Sequence, residues 1–223
     1  MRTANGYQIM AAFVVGLALA GCDISADGDG STKVNGSVHI PAGKAAEEAR
    51  TVNGSIHIDD NAAVTSATTV NGSIHLGEHA TATSAKTVNG AISLDAGSHV
   101  SESAGSVNGD LTLANGAEVA GHLANVNGKI GMTGAHVAGG IKTVNGSISI
   151  MGASHVEGGI MVDKPSGISF MGEDPVIVIG PGSVVQGDLR FERKVKLYVS
   201  DKATIGTVVG ATPVPFSGEN PPN

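Results

Sequence analysis

Aromatic side chains are almost missing from this chain, which has no tryptophan, two tyrosines and four phenylalanines among 223 residues. That excludes a core built around large rings and the aromatic platforms on which sugars or nucleobases stack. Cysteine occurs once, at Cys22, so no internal disulfide can reinforce a thin core. Basic residues are the minority, 13 Lys and Arg against 20 Asp and Glu, and nucleic acid is accordingly not an expected partner. Long apolar runs are lacking as well. The one from Ile9 to Ala20 is shorter than the roughly 20 residues a membrane-spanning helix needs.

That run follows Arg2 and ends in Leu19-Ala20-Gly21-Cys22, the layout of a cleaved secretory signal. The ending resembles the lipobox of bacterial lipoproteins. The resemblance implies that residues 1–21 are a signal peptide, that Cys22 is the lipidated N-terminus, and that 22–33, rich in Asp, Gly and Ser, is a flexible tether. Palmitate-type acylation with two or more chains gives stable membrane residence. Without residues 1–21 the chain keeps 12 basic residues against 20 acidic ones, a net charge of −8. The expected location is the cell envelope, anchored through Cys22 to the inner or outer membrane and facing the periplasm or the surface. Asp23, directly after the lipidated cysteine, is an inner-membrane retention mark in some lipoproteins and leaves that choice open.

What the chain does have is a repeat. Val-Asn-Gly recurs from Val34, Val52, Val70, Val88, Val107, Val126 and Val144, at steps of 18 or 19 residues. Apolar residues follow four and six positions after each Val, as in Val38 with Ile40, Ile74 with Leu76 and Ile148 with Ile150. This alternation has the period of a half-buried strand. Strands so short are stable only when each pairs in parallel with its equivalent in the next coil. A second unit, V-x-G-x-[IL], recurs from Val119, Val137, Val156 and Val185. The expected fold is an all-β, single-stranded parallel β-helix of about nine or ten coils over 34–212, with Pro165 and Pro175 marking an inserted turn. The tail 213–223 is Pro-rich and is expected to add no ladder, serving as a cap or lying free. Left-handed hexapeptide helices also have 18-residue coils, but single-residue insertions favour the right-handed class.

Stacking would align each repeat position into a file. Asn35, Asn53, Asn71, Asn89, Asn108, Asn127 and Asn145 are expected to form an amide ladder at a corner, where Asn-Gly supplies positive φ. The residues before each Val (Lys33, Thr51, Thr69, Thr87, Ser106, Asn125, Thr143) are expected to point outward.

Histidines are the one feature beyond scaffold. His39, His57 and His75 share an outward slot taken by Ser93, Thr112 and Ser149 in later coils, so a solvated polar face explains them. The alternative is metal ligation by that column. Protonating it would set like charges in neighbouring layers and weaken the N-terminal coils. A second column is expected through His99, Glu118, His136 and His155. Nucleophile-base pairs and phosphate-cradling loops have no host in coils this regular, so neither enzymatic activity nor a cofactor is expected.

The doubled coil, and Val176 to Gly187 (VIVIGPGSVVQG) in particular, resembles the bactofilins, polymer-forming β-helical cytoskeletal proteins. The resemblance implies a right-handed β-helix of triangular section that assembles end to end without nucleotide. Those proteins are cytoplasmic, whereas Cys22 points to export, so only the fold carries over. The expected function is a membrane-anchored structural or scaffolding lipoprotein, a homo-oligomer or a companion of other envelope proteins. The alternative is an adhesin-like module presenting its repeat faces to polysaccharide or protein.

Overall fold

The computed structural model describes residues 30–165 and 173–221. The expected signal peptide, Cys22, Asp23 and the tether up to residue 29 lie outside the described residues. All regular elements among the described residues are strands, stacked in parallel as a β-helix of about ten turns. At about 4.8 Å per layer the rod is about 45 Å long.

One sheet stacks ten short strands, from Val38–Ile40 to Val214–Phe216. Its inward file runs Val38, Ile56, Ile74, Ile92, Leu111, Ile130, Ile148, Ile177, each directly paired with the next. These side chains are at most 1% exposed. Each large one contributes about 1.5–3 kcal/mol by leaving water.

The rest of each coil belongs to a second sheet. In the early coils it is one long strand, as in Ala45–Asn53, Ala63–Asn71 and Thr81–Asn89. In later coils it splits in two, first as Glu118–Val119 and Leu123–Asn127. Strand His99–Asn108 joins the two designs, pairing with Thr81–Asn89 on one side and with both short strands on the other. The split follows the glycine two residues after each inward Val. A Cβ on Gly121 or Gly139 would fall inside 3.0 Å of a carbonyl oxygen in the coil before, so the chain turns there at close backbone approach.

Variation in coil length is confined to bulges and turns. The first 19-residue step arises between Ala82, opposite Val100, and Ser84, opposite Ser103, where two residues face one. A larger insertion separates Val156 and Val162 from the following coil, so that Val176 N–H donates to Ser147 Oγ across 29 residues. Pro165 and Pro175 flank this insertion, and the expected turn at residues 166–172 lies outside the described residues.

Four expectations need correction. The residues before each Val, Lys33 excepted, face inward: Thr51, Thr69, Thr87, Ser106 and Thr143 are at most 1% exposed and Asn125 4%, whereas Lys33 and the Val side chains are half-buried. The cause is a carbonyl. Thr51, Thr69 and Thr87 each donate at 2.9 Å to the glycine oxygen of the preceding coil, and an apolar residue there would leave that oxygen unmet.

Positive φ is likewise not the rule at Asn-Gly. Among those glycines it occurs at Gly36 and Gly128, while Gly54, Gly72, Gly90 and Gly109 are needed because a Cβ would overlap the glycine oxygen one coil back. Left-handed residues instead line the turn after the short strands, at Gly43, Asn61, His79, Gly97 and Gly116.

The expected tether is shortened, because strand Gly30–Asn35 pairs with Ala45–Asn53 and takes in its last residues. Finally, the Pro-rich tail does extend a ladder: Val214–Phe216 pairs with Lys196–Ser200, Pro215 opposite Val199, and Phe216 is buried at 6% exposure. Anchoring that ring over the last coil outweighs the N–H that Pro215 lacks.

Candidate functional site

The stacked register converts the repeat into surface files. The Asn ladder is continuous: Asn53 Nδ2 donates to Asn35 Oδ1 at 3.0 Å, and Asn71, Asn89, Asn108, Asn127 and Asn145 repeat the bond at 2.8–2.9 Å. Above Asn145 the Val-Asn-Gly motif ends. There Arg193 donates to Asn145 Oδ1 and to Val144 O.

His39, His57 and His75 lie in one outward file, directly paired layer to layer and followed by Ser93, Thr112 and Ser149 in equivalent slots. Their rings do not converge. His39 Nε2 turns to Asp59 at 2.7 Å and His75 Nε2 to Asp95 at 3.2 Å, while the His57 and His75 centroids are 6.1 Å apart. Each carboxylate stands just past the short strand of the next coil.

The second column is in register as well, with His99, Glu118, His136 and His155 successive partners. It is held by the inward neighbours Val100, Val119, Val137 and Val156, all 0% exposed. Here the polar atoms come together. His99 Nδ1 is 3.3 Å and His136 Nδ1 3.5 Å from the two oxygens of Glu118. His136 Nε2 is 3.0 Å from Glu157 Oε1, and the His155 and His136 centroids are 5.5 Å apart. Among the described residues, His136, His155 and Glu157 form the group of three whose ligand-type atoms all lie within 4.8 Å of one another.

Glu157 and Gln186, which contacts His155 Nε2 at 3.0 Å, are the members that sequence reasoning missed. The signal was present: Glu157 stands two residues after His155 and so shares its face.

On another face the outward file Lys86, Gly105, Ala124, Lys142, Met161, Arg190 crosses six layers. Gly105 and Ala124 leave a shallow groove between the two lysines. Lys142 is paired with Asp163 at 2.8 Å and Arg190 with Asp188 at 2.9 Å. No helix among the described residues is long and apolar enough to cross a membrane.

Comparison with protein-family models, with curated proteins and with solved structures finds no match.

Proposed function

We propose that this protein is a lipid-anchored scaffold of the bacterial cell envelope, a non-catalytic rod tethered through Cys22. The observation that carries the reading is the uninterrupted stack: two parallel sheets and one apolar core run its length. Such a stack resists bending through ladders that every layer shares. Bactofilin-like assembly is the finer form of the proposal. Among the described residues, the strands at the two ends have one neighbour each, and Val209 and Val214, 50% and 47% exposed, lie at the C-terminal end.

The test has two arms. Metabolic palmitate labelling of wild type against Cys22→Ser reads the anchor, and a label that persists in the variant contradicts it. Light scattering and electron microscopy of the lipid-free rod read self-assembly. Concentration-dependent growth lost in Val209→Asp/Val214→Asp supports end-to-end contact, and a monomer at all concentrations opposes it.

The groove over Gly105 and Ala124 favours a second reading, a module that lays an extended polysaccharide or peptide along the rod. Binding of envelope glycans that Ala124→Arg abolishes supports it over a purely structural role.

A further inference from the structure

His136 is an imidazole with a carboxylate at each nitrogen, Glu118 at Nδ1 and Glu157 at Nε2. A neutral ring has one N–H and one lone pair. One of the two carboxylates therefore faces a lone pair unless a positive charge stands between them, either a second ring proton or a cation. His155, one layer on, adds another ring nitrogen to the Glu157 side of this arrangement.

We propose that His136, His155 and Glu157 bind one divalent transition-metal ion of the Zn²⁺ type across two successive layers, with Glu118 positioning His136 from outside the coordination shell. Two imidazole nitrogens and one carboxylate oxygen are donors that Zn²⁺ and its late first-row neighbours accept. With metal–ligand bonds of about 2.0 Å, tetrahedral ligands stand about 3.3 Å apart. The 3.0 Å between His136 Nε2 and Glu157 Oε1 is already near that spacing. His155 closes the triad by a ring rotation, since it is half-exposed and held otherwise by Gln186.

The backbone supports this geometry. His136 and His155 are directly paired and flanked by the buried Val137 and Val156, and Glu157 N–H donates to Val137 O at 3.0 Å. Ala138, ahead of Glu157 in the same file, is too small to block its carboxylate. Bound metal at Nε2 leaves Nδ1–H of His136 to donate to Glu118, the outer carboxylate that fixes a ligating imidazole. The proposal does not depend on the lipid anchor. It locates the site away from His39, His57 and His75, of which His39 and His75 are turned to separate acids.

The test uses the chelator-treated full chain, titrated with Zn²⁺ by calorimetry and with Co²⁺ by visible absorption. One ion per chain is expected, with a Co²⁺ spectrum of nitrogen and oxygen ligation. Glu118→Gln should weaken binding by about tenfold, and His136→Asn, His155→Asn and Glu157→Gln by more. His57→Asn should leave it unchanged. Circular dichroism of each variant controls for folding, and Glu157→Gln, at an exposed position, is the variant least able to disturb the stack. Three results would overturn the proposal: no saturable binding at about 100 μM metal, where even a weak site would fill; affinity unmoved by the His136, His155 and Glu157 variants; or loss of binding in His57→Asn.

Discussion

Arg193 donates its Nη1 to the side-chain oxygen of Asn145 at 2.6 Å, closing the Asn ladder at the point where its repeat motif runs out. Every other ladder oxygen from Asn35 to Asn127 is met by the amide of the next Asn. Asn145 has no Asn above it, and a residue 48 positions away replaces that partner with a charged donor. The same guanidinium nitrogen lies 3.3 Å from Val144 O, so it caps backbone as well as side chain.

Interior and terminal ladder positions should therefore differ. Asn71→Ala removes two bonds and Asn35→Ala one. At about 0.5–1.5 kcal/mol per bond, and toward the low end at exposed positions, the interior variant should lose about 1–2 kcal/mol and the terminal one about half. Urea denaturation curves check this, and equal losses would show that the ladder is not a stabilising unit.

Asn125 is the ladder-side irregularity in the buried Thr file. Its Nδ2 donates to Gly109 O at 2.7 Å, as the Thr hydroxyls do one coil apart, but its Oδ1 is buried without a partner. Asn125→Thr keeps the donor and deletes the stranded acceptor, and should stabilise the rod by about 1 kcal/mol. A lower melting temperature would mean that the larger amide is needed for packing.

Close backbone approach separates Gly72, a Val-Asn-Gly glycine, from Gly131, which takes the outward slot of a short strand. Gly72→Ala places a Cβ inside the Gly54 carbonyl and should destabilise by about 2 kcal/mol or more. Gly131→Ala meets nothing within 4 Å and has no positive φ, so it should be neutral or stabilising by about 0.4–1 kcal/mol. Thermal melts of the pair decide it, and a similar loss in both would refute the approach argument.

His79 holds φ at 56° in the file where Gly43, Gly97 and Gly116 adopt the same left-handed form. Since that form costs a non-glycine residue about 1–2 kcal/mol, His79→Gly should raise stability by about 1 kcal/mol. Unchanged or reduced stability would show that the imidazole, which lies over Gly97, contributes contacts of equal size.

The sequence made the stack legible because one signal repeated in every coil. Val38 with Ile40 and its equivalents, the Asn file, and both histidine columns follow from period and parity alone. Polarity misled at Thr51 and its equivalents: the hydroxyl looks like a surface group, yet its partner is a carbonyl that only the stacked coil brings near. Asn-Gly misled similarly, since the dipeptide suggests left-handed backbone whereas Gly54 and Gly72 are set by contact across layers. The triad of His136, His155 and Glu157 was half visible. The column of histidines was readable, but Glu157 follows the end of strand His155–Val156, and only stacking brings its carboxylate to His136 in the layer before.

The account rests on in-register stacking, and paired cysteines measure it most directly. In a Cys22→Ser background, Asn53→Cys/Asn71→Cys places the two Cα atoms in directly paired positions, about 4.8 Å apart. Asn53→Cys/Asn89→Cys sets them two layers apart, about 9.6 Å, beyond the roughly 7 Å limit of a disulfide. Mild oxidation followed by thiol counting should show near-complete bond formation in the first pair and none in the second. Equal reaction of both pairs, or a bond in the second alone, would contradict the stack.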